Sequence, residues 1–335
     1  MPAFRKLLAG ICLALLVLLA LSAAAAQAAI DHPYTGVSFG PSGIGAGSFS
    51  EPQAVTVDQS TGDVFVVDNG EGGRVYKFDA GGEPVDFSSS GTNVIEGIGS
   101  GFVAEEEIAV DQSGGPDDGD IYVSNGSVVK IYGKTGTFLG ELSGGEMCGV
   151  AVDPSGNVYV GIFPETVRRY APSSSPVTNA DENGSMGGLE RICNIAVDGE
   201  SSVYAATWSG GVTKYDALQF GSLSAIGTVL DASARTLAVD PAAGGVFLDQ
   251  QRDIAQYDGS TEPPTQIGAT GASGEGALRE SFGVAYDHAS DELYASNQGR
   301  VEIFGAGVNV VSATTEGASS ISASQVTLHG TVEPS

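Results

Sequence analysis

Basic residues are scarce in this 335-residue chain: 14 lysines and arginines stand against 41 aspartates and glutamates, a formal net charge of −27 at pH 7. Binding nucleic acid requires a cationic stripe that displaces the counterions of phosphate, and no such basic cluster occurs, which excludes that partner. Histidine is nearly as rare, with His32, His288 and His329 alone. A nucleophile paired with a general base therefore has little to draw on. Beyond the N-terminus no long stretch has a 3.6-residue apolar period, so helices are not the building material. What remains abundant is glycine, 49 residues of it, alternating with short apolar runs. That combination reads as strands and turns.

The N-terminus stands apart. Arg5 and Lys6 precede an unbroken apolar run from Leu7 to Leu21 and then a stretch of small residues, the layout of a secretory signal peptide spanning residues 1–28. The small-x-small site Ala26-Gln27-Ala28 is the expected cleavage point, with Ala24-Ala25-Ala26 as the alternative. A membrane anchor is the competing reading, although a core of about fifteen residues falls short of the twenty or so that span a bilayer. Removal of Arg5 and Lys6 takes no acid with them and makes the chain more acidic still. A secreted protein, extracellular or on the cell surface and without a stable membrane span after cleavage, is expected. Its acidity then serves solubility.

Six segments of the mature chain repeat. Each has an apolar residue, a small residue, an apolar or aromatic residue and then an aspartate: Asp58, Asp111, Asp153, Asp198, Asp240 and Asp287, at intervals of 42 to 53 residues. An aromatic follows each one, at Phe65, Tyr122, Tyr159, Tyr204, Phe247 and Tyr294. A second aromatic comes after it (Phe78, Tyr132, Tyr170, Tyr215, Tyr257, Phe304), with a β-branched residue three places earlier. Each unit reads as three strands and a weaker fourth, such as Thr137 to Leu142. One such sheet cannot bury both faces alone and must stack on its copies.

Radial stacking into an all-β, six-bladed β-propeller over residues 34–305 leaves only short outer edges, whereas an open array would expose two large apolar faces. The small residue inside each first strand suits close approach of blades near the axis. The sixth unit lacks a clear fourth strand, and the orphan segment Tyr34 to Gly40 precedes the first. It is predicted to complete the sixth blade and close the ring.

The segment Gly43 to Gly82, with its Gly-rich lead, Phe-x-x-Pro entrance, VD turn and closing RVYKFD strand, resembles an NHL repeat; the other five units resemble it more distantly. The resemblance implies a propeller used for binding, scaffolding, sensing or, in some members, lyase chemistry. The polar residues that NHL repeats carry between second and third strands persist as Asp68, Asn69 and Arg74. Residues 306–335 leave the pattern. Within them Ser324 to Ser335 resembles the start of a fibronectin-type or immunoglobulin-like module, which needs roughly a hundred residues. The segment is either the incomplete opening of such a module or a flexible tail.

Several motifs have structural readings. The glycines of Gly43 to Gly47 and Gly97 to Gly101 lead into first strands and do not open a helix, as a phosphate cradle must. The run Gly133 to Gly136 has Val128 where a nucleotide-binding loop needs glycine. The six repeat aspartates sit in hairpin turns, where Asp accepts hydrogen bonds from the backbone two residues on. The turn Gly114 to Asp120 gathers Asp117, Asp118 and Asp120, oxygen donors suited to Ca²⁺ but without the spacing of an EF-hand loop. A solvated acidic loop is the preferred reading, and no cofactor is expected.

Propeller topology places any site at the axis, on the face built from the starts of the first strands and the turns between second and third strands. Phe163 and Trp208, in turns of adjacent blades, suit recognition of a peptide or glycan because rings offer contact area at low entropic cost. Glu107 and Asn194 are candidate oxygen ligands of an axial metal, as in propeller lactonases, which the predicted fold resembles in outline only. Cys148 and Cys193 occupy equivalent positions in adjacent blades and are candidates for a disulfide in an oxidising compartment, since export removes Cys12 and leaves an even pair. The expected function is a secreted binding or scaffolding module for a protein, peptide or cell-surface glycan; the alternative is a metal-assisted lactonase or lyase with an axial site.

Overall fold

The computed structural model describes residues 32–305 except 71, 100–105, 174, 189–191, 208–210, 217–224, 231–233, 243, 260 and 262–263, together with 313–315 and 330–332. The expected signal peptide thus lies outside the described residues. So does most of the C-terminal segment, within which Ala313–Thr315 pairs antiparallel with Gly330–Val332.

Six antiparallel sheets form the blades of a propeller. Their inner strands are Pro52–Asp58, Ile108–Val110, Glu146–Val152, Ile192–Val197, Thr236–Val239 and Val284–Asp287. Blades one to five each add three strands in chain order outward. In the sixth, the outer position next to Arg300–Phe304 is taken by Tyr34–Gly40, with Tyr34 opposite Phe304 and Phe39 opposite Val301. The ring is closed by hydrogen bonds between the two ends of the domain, as the orphan segment suggests.

The alternation along each inner strand decides how blades pack. Val55 and Val57 point at blade six, where Ala285 lies in the same cluster. Ile108 and Val110 point at blade one, and Ala109 at blade three. Every inner strand turns its large residues toward the preceding blade and its small residue toward the next. Six apolar clusters result, one in each cleft between blades. Farther from the axis the wedge widens and rings fill it: Tyr122, Tyr159, Tyr204 and Tyr294 are all buried. Burial that joins each sheet to both neighbours makes a single blade unstable alone, the energetic basis of the repeat.

The aspartates perform as local turn-formers. Each of the six accepts the backbone N–H two residues on, from Ser60, Ser113, Ser155, Glu200, Ala242 and Ala289, at 2.8–3.0 Å. Their conformational role explains their recurrence without any shared chemistry.

Candidate functional site

A channel of about 320 Å³ runs along the propeller axis, walled by the inner strands. Its sides are apolar, with Val57, Val110, Val152, Val197 and Val239 among the lining residues. An inner strand is the edge of its sheet, so its outward N–H and C=O groups need partners that the blade does not supply. Polar side chains at the two ends of the channel provide some of them.

At the end formed by the strand starts, Glu107 extends from blade two across the axis. Its carboxylate accepts the N–H of Val150 in blade three at 2.7 Å and that of Ile195 in blade four at 3.3 Å. Gly149 makes room for it: a Cβ there would lie 3.1 Å from the Glu107 carboxylate and 3.0 Å from the Cys193 carbonyl. Asn194 donates its side-chain amide to the carbonyl of Arg235, joining blades four and five. Ser124 joins blades two and three by donating to the Cys148 carbonyl at 2.8 Å. Cys148 and Cys193 are joined in a disulfide between blades three and four, with Cα atoms 4.9 Å apart.

At the opposite end two glutamines do comparable service. Gln59 of blade one donates to the Tyr286 carbonyl in blade six at 2.6 Å and accepts the His288 N–H at 2.8 Å. Gln112 of blade two accepts the Gln59 N–H at 3.0 Å and donates to the Val57 carbonyl at 3.1 Å. Sequence reasoning passed over both. The signal was the recurring tripeptide Asp-Gln-Ser at 58–60 and 111–113, where the other repeats have proline, glycine or histidine after the aspartate.

Two axial residues read as oxygen ligands, Glu107 and Asn194, are therefore engaged in joining blades. Among the described residues, no three His, Cys, Asp or Glu side chains converge closely enough to hold a metal. Phe163 ends the second strand of blade three on the same face, half-buried and opposite Glu146. Pro164, which follows it, accepts the N–H of Ile192 and so fixes this turn against blade four. Trp208 lies outside the described residues. Between blades five and six the same rim holds the Arg235 guanidinium 5.8 Å over the Phe282 ring, while Arg252 and Arg279 are exposed. In a strongly acidic chain these side chains give the rim aromatic and cationic character.

No known family profile matches the chain, and no curated protein matches it. Solved structures of the same fold are numerous. One, described as "Crystal Structure of Mitotic Checkpoint Complex", aligns over 84% of this chain and 94% of that chain with a TM-score of 0.54 and 13% identity. At that identity the likeness extends to the fold alone.

Proposed function

We propose that the chain is a secreted binding or scaffolding module whose partner is a protein, a peptide or a cell-surface glycan. The observation that carries this reading is the employment of the axial polar groups. Glu107, Asn194, Gln59 and Gln112 bond to the main chain of neighbouring blades, which makes the axis a seam that holds the platform rigid. A rigid ring presenting variable turns at low entropic cost is what a recognition surface needs. Phe163, Trp208 and the Arg235–Phe282 pair are the anchors in this reading, and the resemblance of Gly43 to Gly82 to NHL repeats agrees with it. The apolar run at residues 7–21 supports export.

The test is a screen of the exported chain against arrays of cell-wall glycans and peptides, repeated with Phe163→Ala and Trp208→Ala. Binding that falls at least about tenfold in either variant, with an unchanged melting temperature, is the expected result, since aromatic anchors carry a large share of interface energy. Absence of any binder, or hydrolysis of a lactone panel that chelators abolish, overturns the reading.

A further inference from the structure

Blades two, five and six join their second and third strands by the same tight turn. The N–H before it reaches the carbonyl after it, from Asn125 to Val128 at 3.1 Å and from Gln250 to Asp253 at 2.9 Å, and in blade six Asn297 pairs with Arg300. The first central residue has a positive φ in all three. Blade two places glycine there, Gly126 at 79°, the residue that adopts this conformation at no steric cost. Blades five and six place glutamine, Gln251 at 73° and Gln298 at 47°. A side chain held in the left-handed region, where glycine would serve, directs attention to what that side chain does.

In blade five its use is visible. With the amide turned so that its oxygen faces the guanidinium, Gln251 accepts Arg235 Nε at 2.8 Å and Nη2 at 3.2 Å. The Asp249 carboxylate accepts the Gln251 N–H and the Asp249 carbonyl the Arg235 N–H, both at 2.7 Å. The guanidinium is held in this way 5.8 Å over the Phe282 ring. Gln251 is thus a positioning residue for a planar cation.

The segment from Arg279 to Phe282 ties this turn to that of blade six. Ser281 donates its N–H to the Gln251 carbonyl at 3.1 Å, Arg279 to the Asn297 side-chain oxygen at 3.1 Å and Phe282 to the Ser296 hydroxyl at 3.0 Å. Arg235, Arg252 and Arg279 therefore belong to one stretch of rim built across two blades. Elsewhere cations are matched to acids, as in Arg74–Glu96, Lys77–Asp63, Arg168–Glu182 and Lys214–Asp198. Arg252 and Arg279 are exposed, and among the described residues neither forms an ion pair. Arg300 is committed to Ser38 and Gly47, beside the strand that closes the ring. Of the acids in these segments Asp249 is wholly buried and Asp253 half-buried, while Glu280 is exposed. The charge this stretch turns outward is positive, in a chain of net charge −27.

We propose that the rim between blades five and six binds the side-chain carboxylates of an acidic peptide segment of a partner protein, with Arg252 and Arg279 as mobile contacts and Arg235 as the fixed one. This rests on the binding reading above and gives the partner its chemistry. A guanidinium can meet a carboxylate through two parallel N–H bonds. Charge complementarity selects the place, since the rest of an acidic chain repels such a segment and steers it to the rim that does not. A peptide fits better than an acidic glycan, because sugar rings stack on open aromatic faces and the Phe282 face carries Arg235.

The test uses the whole exported chain and a fluorescein-labelled peptide of alternating glutamate and serine, followed by fluorescence anisotropy. Binding that weakens as salt rises is expected, with none for the peptide that has lysine in place of glutamate. Arg252→Glu combined with Arg279→Glu is expected to lower affinity at least about tenfold and to leave the melting temperature unchanged, both side chains being exposed. Gln251→Gly relieves the backbone and releases Arg235, so this variant is expected to melt no lower than the parent and to bind about threefold more weakly. The proposal is overturned if the glutamate peptide does not bind, if an oligogalacturonate binds in its place, or if the double variant binds the peptide as the parent does. The broader reading fails separately. A partner from the arrays that keeps its affinity for the double variant but loses it with Phe163→Ala or Trp208→Ala leaves that reading standing and removes this one.

Discussion

The carboxylate of Glu107 in blade two accepts the N–H of Val150 in blade three at 2.7 Å, so one side chain crosses the axis to satisfy the open edge of a neighbouring sheet. Its reach to Ile195 extends the tie to blade four. Charged hydrogen bonds buried in this way are worth about 1.5–3 kcal/mol, and the donors left behind cost more. Glu107→Ala is therefore expected to destabilise the protein by about 3 kcal/mol. Glu107→Gln, whose carbonyl oxygen still accepts, is expected to cost less. Urea denaturation read by far-UV circular dichroism measures both, and an alanine variant as stable as the parent refutes the clamp.

Closure of the ring gives a second expectation. Phe39 is fully buried at the seam between Tyr34–Gly40 and the sixth blade, with its ring 4.6 Å from that of Phe78 in blade one. It thus packs against the first blade while its strand pairs with the last. Phe39→Ala removes a large buried ring and is expected to cost about 3–5 kcal/mol. Because the seam joins the two ends of the propeller, limited proteolysis of this variant should release the segment around Tyr34–Gly40 first. A variant cut at random positions, or at the parent's rate, contradicts that role.

The Cys148–Cys193 bond spans 45 residues. A loop of that size contributes roughly 4 kcal/mol by constraining the unfolded chain. Reductant is expected to lower the melting temperature of the exported protein and leave its circular dichroism spectrum unchanged at low temperature. Mass spectrometry should count no free thiol before reduction and two after. Two free thiols in protein purified without reductant would rule the bond out.

The blades were readable because their signals recur. Asp-turn, first aromatic and second aromatic reappear in the same order in all six units, with the β-branched residue always three places before the second aromatic, and the small residue of the inner strand marks where neighbouring blades approach. The orphan strand was readable by subtraction, from a sixth unit one strand short. The axial contacts were not. Glu107 and Asn194 carry ligand chemistry in their side chains, and sequence offers no sign that a backbone N–H two blades away will consume it. Gln59 and Gln112 carry no special chemistry at all, and their role follows from edge strands meeting around an axis, a property of the ring and not of any repeat.

Asp249 gives the last expectation, one of pH. It ends the second strand of blade five, wholly buried, with its carboxylate accepting the Gln251 N–H at 2.7 Å. Burial outweighs that bond and pushes its carboxyl from the ordinary 3.8 up to about 7. Between these values the folded protein holds a proton that the unfolded chain has released. Stability from this group is therefore complete below the unfolded value, falls as pH rises through the interval, and reaches its floor above about 7. Asp249→Asn places a neutral group of the same shape there and removes this dependence, while Asp120, raised for similar reasons, affects parent and variant alike. The variant is expected to melt higher than the parent at about pH 8, with the gap narrowing steadily toward pH 5 as the parent's carboxyl gains its proton. Melting curves at closely spaced pH values in buffers of constant ionic strength measure the gap. Parallel profiles for the two proteins would mean that the buried carboxyl titrates at its ordinary value.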